Sequence, residues 1–322
     1  MNWKWGIRSR KRVKYTPFYN DRLLLAGDLH CHSIYSMDGV FSVAQIAHYA
    51  KDAGLDFMAI TDHNSIGAFA DEDNITDMVF IRGSECSLCE RCGHFNIFGI
   101  DAIDLRPDMT EKDEIVSYMK EMKQRGGVVQ LNHPFAGGLG WHVGWDVPFD
   151  MIEIWNRDYS TKNANSIAFW HERLCAGEKI PATGGTDSHY TKSERYPINC
   201  VYARERTPEA ILQAVLEGHN FISECSYGPW IQLKIGTGIL GDTVQADERA
   251  QLEVFFENLE PDYTVVVLSD QKEELRETPN ESFYRAQLPV EKGRKFYRAE
   301  VWRGKTLAAI SNPIYLDWTE SV

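Results

Sequence analysis

The chain has 322 residues, 43 % hydrophobic and 25 % charged, with a formal net charge of −13. That length allows one large domain or a large domain with a small companion, and the composition is ordinary for a soluble globular chain. The acidic balance argues against general binding of nucleic-acid backbones, no run of about 18 apolar residues is present to span a membrane, and seven cysteines, an odd count, do not make a disulfide framework, so a reducing cytoplasm is the expected compartment.

Residues 1–21 form a basic arm: Lys4, Arg8, Arg10, Lys11, Arg12 and Lys14 meet no acidic residue before position 15, and no apolar stretch follows as it would in a signal peptide. A solvated arm is expected. From residue 22 to about 225, strands and helices alternate. Residues 22–28 (RLLLAGD) read as a buried strand, and Ser42 with Gln45 three positions later reads as a capping box opening a helix that ends at Gly54. Strands follow at 55–60, 78–81 and 95–100, then a helix capped at Thr110 and Asp113 with Ile115, Met119 and Met122 inward. The pattern repeats with strands at 127–131 and 151–155, a helix over 163–176, strands at 180–183 and 199–203, and a last helix opened by Thr207-Pro208. Strands alternating with helices imply a parallel sheet covered by helices, here about seven units in a closed or nearly closed barrel over residues 22–227. After Gly228-Pro229 the pattern changes to some six short β-rich runs, at 231–235, 251–257, 263–269, 282–290, 296–302 and 306–315, which fit a small β-sandwich over residues 228–322.

The informative residues stand just after the apolar strands, where barrels carry their active sites. The first strand leads to His30 and His32, with Asp38 beyond; later exits hold Asp62 and His63, Glu85, His133, and Asp187 with His189, while the segment after Glu85 begins with His94. In the segments His30-Cys31-His32 and Asp187-Ser188-His189, period-2 alternation puts the two polar side chains on one face. Six of the ten histidines stand at such exits. Imidazole mixed with carboxylate suits Zn, Fe or Mn. Gly27, Gly83 and Gly184-Gly185 lie near the same exits, where glycine permits close approach or positive φ.

These segments together resemble the PHP (polymerase and histidinol phosphatase) superfamily: Asp28-Leu-His-Cys-His-Ser, Ser36-Met-Asp-Gly, Ala59-Ile-Thr-Asp-His, Gly83-Ser-Glu, Asn132-His-Pro and Gly185-Thr-Asp-Ser-His come in the family's order. The resemblance implies a distorted (β/α)₇ barrel and two or three divalent ions. It implies one ion held by His30, His32, Glu85 and Asp187, a second sharing Glu85 with His94 and His133, and a third on Asp38, His63 and His189. Asp38 stands where many members have histidine. Asp62 is expected to orient a ligand imidazole from behind. A narrower resemblance, to the carbamate-hydrolase-like (CehA/McbA) branch, rests on residues 93–99, 152–156, 184–189 and the late Ser311-Asn-Pro-Ile-Tyr.

What these resemblances imply is a hydrolase in which a hydroxide between two ions attacks phosphorus or a carbonyl, with Glu85, Asp187 and His189 as catalytic groups and Asp187 or His189 moving the proton. A phosphoesterase acting on a small phosphorylated molecule is the first expectation, a carbamate, ester or amide hydrolase the second, and a non-catalytic metal-stabilised binding protein the third. Lys192 and Arg195 could hold an anion, and Trp141, His142, Trp145, Asn156 and Arg157 could line the substrate pocket. Cys86, Cys89 and Cys92 have a spacing that thiolate metal sites use, but no fourth ligand stands near, and ordinary loop thiols are expected. The oligomeric state has no signature in the sequence.

Overall fold

The computed structural model describes residues 19, 21–88, 92–190 and 197–318. The basic positions 4–14, Cys89, Lys192 and Arg195 therefore lie outside the described residues.

The first part runs β1 (Leu23–Cys31), α1 (Val43–Asp52), β2 (Phe57–Ile60), α2 (Phe69–Glu72), β3 (Val79–Phe80), β4 (Gly83–Ser87), β5 (His94–Phe98), α3 (Lys112–Gln124), β6 (Val128–Leu131), β7 (Met151–Asn156), α4 (Thr161–Cys175), β8 (Ala182–Gly185), β9 (Ile198–Ala203), α5 (Pro208–Leu216) and β10 (Asn220–Ser223). The Ser42 and Gln45 capping box opens α1, which buries Val43, Ile46, Ala47 and Ala50, and Thr207 caps α5 ahead of Pro208. Helix α3 departs from expectation: it starts at Lys112 with Glu111 at the N-cap position and no side-chain cap hydrogen bond.

The sheet is neither fully parallel nor continuously laddered. It consists of two half-sheets, ordered β10-β9-β1-β2-β3 and β4-β5-β6-β7-β8. Strand β9 is antiparallel to β1 and β10, and β5 is antiparallel to β4 and β6. Among the described residues no helix intervenes between β4 and β5 or between β8 and β9, and strands joined without a crossover helix return antiparallel. The half-sheets meet at two seams, bridged at Cys31 with Ser188 and at His63 with Glu85. Both bridges sit at the metal-facing strand ends, and the amide of Asp187 donates to the carbonyl of His30 (2.7 Å) beside the first.

The second part comprises β11 (Trp230–Ile235), β12 (Gly238–Ile239), β13 (Thr243–Ala246), β14 (Gln251–Glu257), β15 (Tyr263–Ser269), β16 (Glu273–Glu277), β17 (Phe283–Pro289), β18 (Phe296–Arg303), β19 (Thr306–Ser311) and β20 (Ile314–Trp318). Strands β12-β11-β14-β17 make one sheet. In β14 alternate residues Leu252, Val254 and Phe256 are buried, the period of a half-buried strand. They pack on Val265, Val267, Tyr297 and Val301 of the opposing sheet, in a core that also takes in Tyr19, Tyr202 and Phe221 from the barrel side. The opposing sheet is not self-contained, because β19 ladders antiparallel onto β10 and so continues the first half-sheet.

Asn312 pins this junction. Its Nδ2 donates to the carbonyls of Ala182 (3.0 Å) and Asn220 (3.1 Å) and to Asn220 Oδ1 (2.9 Å), while its Oδ1 accepts from the Ala182 amide (2.8 Å). Removing the buried amide strands several groups at once, so Asn312→Ala is expected to destabilise the chain by about 2–4 kcal/mol, read as a lowered urea midpoint with unchanged slope.

Glu72, in α2, is buried with neither carboxylate oxygen hydrogen-bonded among the described residues. Burial pushes its pKa from the usual 4.5 up to about 8, against the pull of Arg82. The folded state thus holds a proton that the unfolded state releases, so this group's contribution is full below pH 4.5 and is lost as pH rises toward 8. Glu72→Gln is expected to gain on wild type steadily across that window in denaturation curves; a constant difference would exclude the titration.

Candidate metal centre

At the seam-closing end of the barrel, Glu85 sits on β4 with no exposed surface. Five imidazoles surround its carboxylate: His63 Nδ1 at 2.9 Å, His94 Nδ1 at 3.2 Å, His30 Nε2 and His133 Nε2 at 3.3 Å, and His32 Nε2 at 3.4 Å. They arrive from both half-sheets, His30 and His32 at the end of β1, His63 after β2, His94 at the start of the reversed β5, and His133 after β6. The reversal of β5 explains why its histidine leads the strand instead of following it.

Asp187 Oδ1 lies 3.2 Å from His32 Nε2 and 3.7 Å from His30 Nε2. His189 and His63 face Asp38, whose Oδ2 is 3.1 Å from His189 Nε2 and 3.6 Å from His63 Nε2. All nine ligand positions expected from the sequence thus come together. Donor atoms of eight of them, all but Asp38, group as His30-His32-Glu85, His30-His133-Asp187, His63-Glu85-His94 and His32-His63-His189, each within 4.8 Å.

The electrostatics fit cations. His30 Nε2, His32 Nε2, Glu85 Oε2 and His133 Nδ1 are buried without a hydrogen-bond partner among the described residues, an arrangement that native interiors avoid unless something else satisfies them. Burial opposes the charge on Glu85, yet the imidazoles, His30 foremost, hold its pKa well below the usual range. Burial likewise opposes charge on Asp187, and His30 and His32 keep it ionised. Burial drives His32 down to about 4, leaving its ring neutral and able to ligate. Divalent ions bound among two carboxylates and these imidazoles would complete the orphaned atoms.

Behind the ligands stand residues that orient them. Glu153, buried on β7, accepts from His30 Nδ1 (3.0 Å) through Oε1 and from the His133 amide (2.9 Å) through Oε2, which leaves His30 Nε2 as the ligating nitrogen. A Cβ on Gly185 would collide with the Glu153 carboxylate and with His30, so that exit requires glycine. Asp28 takes the amides of His30 (3.0 Å) and Thr186 (3.1 Å), fixing the β1–β8 seam, and burial lifts its pKa to about 6. Asn132 Nδ2 donates to Glu85 Oε1 (2.8 Å). The backbone is held in the left-handed region at Asn64 (φ 48°), His133 (28°), Arg157 (55°) and Asp187 (46°), a clustering of strain typical of functional sites.

Other expectations are redrawn. Asp62 touches no ligand imidazole with its carboxylate; it accepts from the amide (2.6 Å) and hydroxyl (2.7 Å) of Ser33 and so holds the loop after His32. Trp141 is 4 % exposed, packs edge-on against Phe95 and donates to the Gly144 carbonyl (2.6 Å): it is core, not pocket wall. Trp145 stacks with Phe135 and Phe169, and the exposed His142 meets the Gly137 carbonyl (2.9 Å). Asn156 supports Glu153 Oε2 (3.1 Å). Arg157 alone of this group reaches the cluster, with Nε 3.1 Å from Asp187 Oδ2 and Nη2 3.0 Å from His189 Nδ1. Cys86 and Cys92 turn to different partners, Tyr118 Oη (3.8 Å) and the Thr110 carbonyl (3.7 Å), and burial raises the Cys86 thiol to about 12, so it stays protonated.

A mixed α/β barrel whose strand ends gather imidazoles and carboxylates around one buried glutamate carries side-chain clusters able to bind metal. The family follows from comparison with known proteins: the model of the PHP domain matches residues 28–229, and the chain belongs to that family. An uncharacterized protein of Methanocaldococcus jannaschii is 27 % identical over 160 residues, covering 45 % of this chain and 89 % of that one. A two-domain protein of Bacteroides vulgatus that contains a predicted PHP-like metal-dependent phosphoesterase shares the fold over 95 % of this chain and 100 % of its own, with a TM-score of 0.52 and 16 % identity. PsfC from Pseudomonas syringae overlays 60 % of this chain and 88 % of its own at a TM-score of 0.44 and 15 % identity.

Because Glu153 fixes the tautomer of His30 and the backbone of His133 together, Glu153→Ala is expected to weaken metal binding about 10–100-fold. Competition against a chromophoric chelator measures it, and an unchanged affinity would remove the orienting role.

Proposed function

We propose that the protein is a metal-dependent phosphoesterase acting on a small phosphorylated molecule. The observation that carries this reading is Glu85, a fully buried carboxylate ringed by five imidazoles, with His30 Nε2, His32 Nε2 and its own Oε2 lacking a hydrogen-bond partner among the described residues. The residues would hold two or three ions, of Zn, Mn or Fe by donor chemistry: His30, His32, Glu85 and Asp187 for one, Glu85 with His94 and His133 for another, and Asp38, His63 and His189 for the third. Such ions would supply Lewis acidity toward the phosphoryl oxygens and make bound water more acidic.

The chain's own groups do the rest. Arg157, 45 % exposed along its side chain, presents its guanidinium at the mouth beside Asp187 and His189, where it is placed to grip an anionic oxygen of the substrate. The same guanidinium lies 3.0 Å from His189 Nδ1 and so bridges that ring and Asp187. Asp187, held ionised, stays available to a cation and to a passing proton.

We also place the chain in the carbamate-hydrolase-like branch, on residues 93–99, 152–156, 184–189 and 311–315; a carbamate or ester substrate is the corresponding second reading. A reducing cytoplasm is the compartment we propose, in keeping with the thiols of Cys31, Cys86 and Cys175; no helix among the described residues is long and apolar enough to cross a membrane.

The test is metal analysis of protein purified without chelator, with parallel assays on p-nitrophenyl phosphate, bis-p-nitrophenyl phosphate and 1-naphthyl acetate. Two or more ions per chain and phosphomonoester turnover that His30→Ala abolishes are expected. Arg157→Gln should raise KM for the phosphomonoester about tenfold with a smaller change in kcat. Turnover confined to the naphthyl ester favours the second reading. Full metal content with no turnover on any substrate would leave a metal-stabilised binding protein.

A further inference from the structure

At the other end of the barrel, where β1, β8 and β10 begin, a cavity of about 540 Å³ lies between the barrel and the C-terminal strands. Its size falls within the range of small-molecule sites, about 300–1,000 Å³. One wall carries Arg22 just before β1, Lys179 before β8 and His219 before β10; the other carries Asp242 and Tyr315. Arg22 lies eight residues from His30 on an extended strand, about 26 Å away at a rise of ~3.3 Å per residue. This cavity is therefore separate from the metal centre.

Carboxylates and cations line it together. Both carboxylates are fully engaged: Glu217 Oε2 lies 2.9 Å from His219 Nδ1 and its Oε1 accepts from Gln213 (2.9 Å), while Asp242 Oδ1 meets His219 Nε2 (3.0 Å) and its Oδ2 accepts from the Ile239 amide (2.9 Å). The cations bond elsewhere. Arg22 Nη1 donates to the Tyr202 carbonyl (3.2 Å) and contacts His219 Nδ1 (2.9 Å), and Lys179 Nζ donates to Thr243 Oγ1 (2.6 Å) and lies 5.3 Å from the centre of the Tyr315 ring. Neither forms an ion pair among the described residues. Arg204 is paired with Asp21 at 3.6 Å, but both are about two-thirds exposed, and such pairs are weakened by solvent. Arg22 and Lys179 thus face one recess with no carboxylate at ion-pair distance among the described residues, beside an aromatic ring and the apolar edge of Leu216.

We propose that this cavity is a second ligand site, for a small organic anion whose phosphate or carboxylate group is held by Arg22 and Lys179 and whose carbon frame lies against Tyr315 and Leu216. An occupant would touch the barrel through Arg22 and Lys179 and the C-terminal strands through Tyr315. Binding to the folded state alone would then stabilise the two parts together.

Isothermal titration of the metal-loaded protein with inorganic phosphate and, separately, with succinate tests this, using wild type, Lys179→Glu, Arg22→Gln and Arg157→Gln. Phosphate taken up at the metal centre is marked by its sensitivity to Arg157→Gln. The expected result is a further binding event, for at least one probe, that Arg157→Gln leaves intact and that Lys179→Glu and Arg22→Gln each weaken about tenfold or more. Whichever probe binds there identifies the preferred head group. Lys179 is exposed, so Lys179→Glu carries the test if Arg22→Gln does not fold. Absence of any such event at millimolar probe, or an event indifferent to Lys179→Glu, overturns the proposal.

Discussion

The structure turns on the desolvation of one carboxylate. Glu85 is wholly buried, and its charge is tolerable only because imidazoles converge on it from both halves of the barrel. That neutralisation is incomplete in either protonation state. If the rings are neutral, Glu85 remains an uncompensated buried charge among orphaned nitrogens; if several are protonated, like charges crowd within a few ångströms of one another. The His32 and His189 rings already stack at 4.0 Å, and the His32 and His63 rings lie 4.3 Å apart. Cations that take the nitrogen lone pairs and the carboxylate together resolve both conflicts, which is why donor geometry and electrostatics point the same way.

The same residue organises the chain path. The half-sheets lack a continuous ladder where they meet, and the bridges that join them involve His63 with Glu85 at one seam and Cys31 with Ser188, between ligand residues, at the other. Closure of the barrel is concentrated at the end where the ligands are. The left-handed backbone at His133 and Asp187 belongs to this pattern: each residue leaves its strand by a strained turn that brings its ring or carboxylate back over the barrel mouth. The strain is offset locally, by the hydrogen bond of the His133 amide to Glu153 and of the Asp187 amide to the His30 carbonyl.

Most of the cluster was legible because its members follow an apolar run in the sequence, whereas His94 opens the reversed β5. Glu153 was not, because it lies within a strand; the clue was a lone carboxylate between Ile152 and Ile154 in a run buried throughout, where an unpaired charge would be untenable. Asp62 was given the wrong task through neglect of the alternation that served for His30 and His32. Adjacent residues of an extended segment face opposite ways, so Asp62 turns toward Ser33 while His63 turns to the metal site. Trp141 misled because a Gly-rich loop beside a ligand suggests a pocket rim, whereas this loop folds inward on Phe95. The reversal of β5 and β9 was hidden because apolar periodicity carries no strand direction; only the missing crossover helices hinted at it.

The late segment around Asn312 has a structural role. It stands far along the chain from every ligand, yet its amide binds the backbone of β8 and β10, and β8 leads directly to Asp187. A second connection runs from β18 toward the site. The indole of Trp302, anchored on Glu300 (2.7 Å), packs edge-on against Tyr159, which packs edge-on against Trp155, whose Nε1 donates to the carbonyl of Arg157 (3.1 Å). Arg157 holds a left-handed backbone that a non-glycine residue adopts only under constraint. That constraint comes from the indole on its carbonyl, wedged in turn by the C-terminal strands. The β-rich part is therefore a buttress of the barrel's working end as well as an appended layer, and its β19 ladders directly onto β10 of the barrel.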